Sequence, residues 1–232
     1  MTERASRRPL GTLLSLLLGL FLCMSGGLLG ASGMFIYLSQ EPAPLPTRTY
    51  GPVVGAWAGV PAPETAAPAT SDGAVVIPQL GPSTLSIPSL GATAPLDVLG
   101  VEDDQLLLPE PDRLTLFKDG SYPGDPQGTV LVAGHVNSSS LARGALFRLG
   151  EIEEGATIWV TDATGRPHEY RVVGLQVLLK QALPQSLFSR QDGPTLVVVT
   201  CGGDIIDTPE GRHYESNVIV TAVPVGDGNA SG

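Results

Sequence analysis

Basic and aromatic residues are both scarce in this chain. Only 13 Lys and Arg stand against 23 Asp and Glu, for a formal charge of -10, and 5% of the residues are aromatic. That balance argues against a nucleic-acid partner, because phosphate binding needs clustered cations that release counterions. No amphipathic helix of four turns or more can be traced, which speaks against a helical bundle. With 29 Gly and 21 Pro among 232 residues, turns and connections take a large share of the length instead. Cysteine is nearly absent. Cys23 lies in an apolar N-terminal run and Cys201 far from it, so no structural disulfide is expected and Cys201 reads as a lone thiol. The three histidines, His135, His168 and His213, show no metal-ligand spacing of the usual kind. No metal and no cofactor are expected.

Composition shifts divide the chain into five parts. Residues 1–8 carry Arg4, Arg7 and Arg8 and are predicted to stay cytoplasmic. Residues 9–38 form a predicted transmembrane signal-anchor, because the sequence is uncharged from Pro9 to Gln40, longer than the roughly 20 residues that cross a bilayer as a helix. Positive charge on the short side places the rest of the chain outside the membrane, so the expected location is the plasma membrane, single pass. A cleaved signal peptide is the alternative, with Ala31-Ser32-Gly33 near the cut; the resumption of apolar sequence at Met34-Phe35-Ile36 favours the anchor. Residues 39–74 are rich in Pro, Ala, Thr and Gly and read as a flexible linker. Residues 75–225 form the folded domain, and 226–232 a flexible tail.

The folded part shows short β-rich runs broken by turn residues. Ser83–Ile87, Gln105–Leu108, Thr129–Ala133, Thr157–Thr161, His168–Leu179, Thr195–Thr200 and Asn217–Val223 are such runs, and they predict a mostly antiparallel barrel or sandwich. Asp162-Ala163-Thr164-Gly165-Arg166 between two of them signals a hairpin. A short helical turn is expected around Gly144–Leu149.

Two runs end on reactive residues beside glycine: Thr129–Ala133 leads into Gly134-His135-Val136-Asn137, and Leu196–Val199 into Thr200-Cys201-Gly202-Gly203. A strand end holds a nucleophile or a base rigidly, and the glycines would let a substrate backbone approach. A thiol needs a proton acceptor or a cation before it attacks a carbonyl, and imidazole fills either role. Cys201 and His135 are therefore natural partners, provided the fold brings the strand ends together. By residue type alone, a buried Cys as a small hydrophobe and a His as a satisfied polar group remain open.

The blocks VLVAGHVNSSS, TLVVVTCGG and YESNVIVTAVPV, with the entry segment IPSLGATAPLDVLGVEDDQLLLPEPDRLTLF, resemble the sortases, and among them the actinobacterial-type class F. That resemblance implies an eight-stranded β-barrel with short helices. It also implies a cysteine transpeptidase that cleaves an LPxTG-like sorting signal of secreted proteins through a thioacyl intermediate and hands it to an amine acceptor, a cell-wall peptide or another protein. Cys201 would be the nucleophile and His135 the acid for the leaving amine. The family's arginine before the last strand is replaced, since Glu215 stands where it is expected and a glutamate repels an oxyanion. Arg212 is the nearby guanidinium and the candidate third catalytic residue; as a solvated loop residue it would instead pair with Asp207 or Glu210. Asn137 stands where relatives often carry Asp. A plain cysteine hydrolase and a catalytically impaired, membrane-tethered binding module are the competing functions, the latter prompted by Glu215.

Overall fold

The computed structural model of the chain describes residues 44–51, 78–103, 105–137, 143–208 and 211–226. The segment read as a membrane anchor, most of the linker and the C-terminal tail lie outside the described residues. Among the described residues no helix is long and apolar enough to cross a membrane.

The described residues form ten strands: β1 (Thr84–Ile87), β2 (Ala92–Leu99), β3 (Val101–Glu102), β4 (Gln105–Leu106), β5 (Leu114–Phe117), β6 (Thr129–Gly134), β7 (Thr157–Thr161), β8 (Pro167–Leu179), β9 (Thr195–Thr208) and β10 (Gly211–Pro224). Eight of them close into a barrel in the order β1-β2-β5-β6-β9-β10-β8-β7, while β3 and β4 make a separate small hairpin. The fold is thus mostly β with an eight-stranded closed barrel, as the sortase resemblance implies. Closure leaves no unpaired sheet edge.

Most neighbours are antiparallel, but β2 with β5 and β6 with β9 run parallel. Parallel neighbours need a long connection, and the one from β6 to β9 contains β7 and β8. Hairpin β7–β8 turns where the pattern places it. The Asp162 carboxylate accepts hydrogen bonds from the Thr164 amide (2.8 Å), the Thr164 hydroxyl (2.7 Å) and the Arg166 amide (3.0 Å). Those bonds, the Thr164 hydroxyl first, hold Asp162 well below the usual carboxylate range.

Valine and leucine fill both faces of β6 and of β9 from Leu196 to Val199, so these stretches read as continuous apolar runs rather than alternating ones. Their inner face joins the barrel core, where Val130, Val132, Leu196 and Val198 pack with Leu114, Leu146, Val218 and Val220. Their outer face forms a second, smaller cluster in which Leu131 and Val197 pack with Phe117, Leu187 and Ile219. Leu187 reaches it from a 3₁₀ turn, Gln185–Phe188.

Two stretches differ from what the sequence predicts. The β9–β10 hairpin continues through Asp204–Asp207, beyond the predicted run Thr195–Thr200, because ladder bonds pair Ile205 with Tyr214 and Asp207 with Arg212. Residues 44–51, inside the expected linker, lie against the barrel. Tyr50 bridges to Leu175 of β8, its hydroxyl donates to the Ile152 carbonyl (3.0 Å), and Gln176 donates to the Tyr50 and Gly51 carbonyls.

Candidate active site

The parallel register of β6 and β9 builds the site. Their ladder ends on the pair Gly134–Thr200. His135 follows just past the end of β6, but Cys201 lies inside β9 rather than at the strand end its glycines suggest, because β10 keeps pairing with β9 as far as Thr208; neighbouring strands are about 4.8 Å apart. The Thr200 hydroxyl donates to the Gly134 carbonyl (2.9 Å) in the buried layer directly beneath, which ties the end of β6 to the middle of β9. On the other side of β9, Asn217 of β10 is the cross-strand partner of Cys201.

The glycines around Cys201 serve packing. A Cβ on Gly134 would lie 2.3 Å from Leu114 Cδ2, and one on Gly202 would lie 2.7 Å from Val218 Cγ2. Both face the barrel core, so the expectation that they open a path for a substrate backbone is replaced by a steric one. Gly203 has a different task. Between the pairs Ile205–Tyr214 and Gly202–Ser216, two residues of β9 oppose the single residue Glu215. Gly203 takes φ +85° at this bulge, where a Cβ would also strike Ser216.

Cys201 opens into a groove of about 230 Å³ on the outer face of the barrel. Leu106, Leu108, Leu131, Ala133, Leu183, Leu187, Phe188 and Val199 line it together with Cys201 and Asn217. The thiol is itself partly covered. Burial pushes its pKa up, and the charge of Lys180, at the start of the 3₁₀ turn after β8, works in the opposite direction. A thiol held in its neutral form needs a base to attack, and the neighbouring imidazole is of the right kind.

Beyond His135, the Asn137 amide donates to the Tyr214 hydroxyl (2.9 Å). This bond runs from the end of β6 to β10 across the intervening β9 and gives Asn137 a tethering role.

The three residues expected from sequence are not equally placed. His135 and Cys201 are brought together by the ladder. Arg212 pairs with Asp207 in the outer part of the β9–β10 hairpin, five positions from Asn217, so its backbone lies about 16 Å along the strand from the level of the nucleophile. Glu215 sits at the bulge, two positions from Asn217. Sequence reasoning missed Lys180 and Asn217 as neighbours of the thiol. Lys180 carries no local signal, because β8 and β9 become close only through barrel order. Asn217 is visible as a polar residue opening the last apolar run. Among the described residues no cluster of three or more His, Cys, Asp or Glu side chains could hold a metal ion.

Comparison with known proteins gives the family. The family model of the sortase domain matches residues 85–225, more than half of the chain, and the chain belongs to the sortase family. Similar solved structures include sortase A from Corynebacterium diphtheriae in a lid-mutant form, 19% identical, with a TM-score of 0.49 over 63% of this chain and 71% of that one. Sortase C2 of pilus island 1 from group B Streptococcus is 16% identical, with a TM-score of 0.48 over 62% and 73%. The sortase D5 transpeptidase from Clostridium perfringens is 20% identical, with a TM-score of 0.46 over 62% and 78%. A search of curated proteins returns no match.

Proposed function

We propose that this sortase is a cysteine transpeptidase of the class F type, which cleaves an LPxTG-like sorting signal and joins the released carbonyl to an amine. The observation that supports the reading is the parallel β6–β9 register, in which the pair Gly134–Thr200 is followed by His135 on one strand and Cys201 on the other, with Cys201 lining an apolar groove. Leucine and proline ahead of the scissile bond suit a lining of Leu, Ala, Val and Phe.

The steps balance on these two residues. The Cys201 proton passes to His135, the sulfur bonds to the scissile carbonyl carbon, and the carbonyl π pair moves onto oxygen. Collapse restores the carbonyl and breaks the C–N bond, and the leaving amine takes the proton from His135. An amine acceptor then attacks the thioacyl carbon in the reverse sense and releases Cys201; water in its place gives hydrolysis. Secreted proteins bearing the signal and a cell-wall or protein amine are the partners of this proposal. Anchoring by residues 9–38, with the barrel outside the plasma membrane, would place the enzyme where both are found. Arg212 enters as the cationic candidate for the carbonyl oxygen, to be tested by Arg212→Ala, with its distance along the hairpin as the argument against it.

The test is incubation of the chain with a sorting-signal peptide, with and without an amine such as triglycine. A thioacyl adduct on Cys201 by mass spectrometry, and a ligated product only when amine is present, are expected. Absence of any adduct overturns the proposal, hydrolysis unaffected by amine favours the plain hydrolase, and peptide binding without an adduct favours an impaired binding module.

A further inference from the structure

The attack just described leaves negative charge on the carbonyl oxygen, and the step is slow unless a fixed donor meets it. Asn217 stands in the right place. It is the direct cross-strand partner of Cys201 in the β9–β10 ladder, and direct partners share a face with Cβ atoms about 4.5–5.5 Å apart. Both side chains line the apolar groove. Asn217 is only 8% exposed, yet among the described residues no hydrogen-bond partner takes its side-chain amide.

Buried polar groups are nearly always paired, and Thr200, the residue before Cys201, follows that rule. The Thr200 hydroxyl holds the Gly134 carbonyl, and the Asn137 amide holds Tyr214. An amide kept unpaired beside the nucleophile, against the apolar side chains of Leu187 and Val199, is a donor waiting for an acceptor brought by a ligand.

We propose that the Asn217 side-chain N–H donates to the oxygen of the carbonyl that Cys201 attacks and holds the oxyanion. This rests on the acyl-transfer reading above. It gives the oxyanion a neutral donor on β10 itself, two positions from Glu215 and without need of a guanidinium. The reach of this neutral amide is set by a strand pair rather than a loop.

The experiment compares the full chain with Asn217→Ala, Asn217→Asp and Arg212→Ala in peptide transfer to an amine, and measures Cys201 alkylation by iodoacetamide, a displacement that develops no oxyanion. Both Asn217 variants are expected to lose about 10²–10³-fold in kcat with KM changed less than about threefold. Asn217→Asp keeps the shape and loses the donor, so it should be no better than Ala. The alkylation rate and unfolding midpoint of Asn217→Ala should stay close to those of the parent chain. A kcat for Asn217→Ala within about threefold of the parent overturns the inference. So does a parallel fall in alkylation or stability, which would mark a structural role, or a loss found in Arg212→Ala in place of the Asn217 variants. If the parent chain forms no thioacyl adduct, the acyl-transfer reading itself falls; an active parent with an active Asn217→Ala overturns this inference alone.

Discussion

The inner and outer faces of β6 and β9 are made of the same residue types and meet opposite fates. Val130, Val132, Leu196 and Val198 point into a closed barrel and are sealed there from every side. Leu131, Ala133, Val197 and Val199 point outward, where the cover consists of Leu183, the 3₁₀ turn bearing Leu187 and Phe188, and the β3–β4 segment bearing Leu106. That cover is complete over Leu131 and Val197 and gives out over Val199 and Cys201, which are only partly buried. One apolar face therefore stabilises the protein, and the other leaves a dry trough ending on a thiol. A nucleophile needs both partial desolvation and an approach, and a face covered by one turn supplies the two together.

Substitutions on the two faces should separate these roles. The largest effect is expected for Cys201→Ala on the outer face. Transfer to an amine should vanish, with the unfolding midpoint shifted by no more than about 2 °C, because a substitution away from the sealed core costs little; residual turnover would exclude Cys201 as nucleophile. His135→Ala should lose about 10²–10⁴-fold in turnover, measured by single-turnover formation of the thioacyl adduct, and a near-normal rate would move the proton transfer to another group.

The sealed face should respond in stability. Leu196→Ala should lower the unfolding free energy by about 2–5 kcal/mol in urea titration. Val199→Ala, three residues along the same strand, should cost less than about 1 kcal/mol while raising KM for the peptide severalfold. Equal stability losses at the two positions would erase the contrast.

A smaller effect is expected from Lys180→Gln. Lys180 opposes the upward push of burial on the Cys201 thiol, so its removal should make the thiolate scarcer. Alkylation by iodoacetamide should slow about threefold near neutral pH, converge with the parent chain at high pH, and differ less at high salt, because an exposed charge is screened. Tyr50→Phe, which removes the hydrogen bond to Ile152, should cost about 0.5–1.5 kcal/mol. Truncation to residue 73, which deletes the whole 44–51 contact, should cost more than this single bond.

Much of the outline was legible in the chain itself. The β-branched runs of β6, β7, β8 and β9, the hairpin turn at Asp162–Arg166 and the end of β6 just before His135 are local patterns, and local sterics and hydrogen bonding set them; Cys201, read as a strand end, lies inside β9 because pairing with β10 carries that strand on to Thr208. Strand β2 was not legible: Pro95 interrupts it, and a proline inside a run argues against a strand. Its pairing with β1 and β5 comes from barrel closure. Residues 44–51 have the composition of a tether, yet Tyr50 gains an aromatic seat and backbone partners on β8 that no neighbour in sequence could provide.

Sequence by itself singled out Cys201 and His135 as a candidate pair and determined the apolar runs that carry them, because the chemistry of a thiol and an imidazole and the preference of valine for strands belong to the residues. Only the tertiary structure decided that β6 and β9 lie parallel with Gly134 against Thr200, that Asn217 rather than Arg212 is level with the nucleophile, and that the outer cover ends at Cys201. Register is a property of pairs of strands: two residues 66 positions apart become neighbours through the ladder bonds that close the barrel.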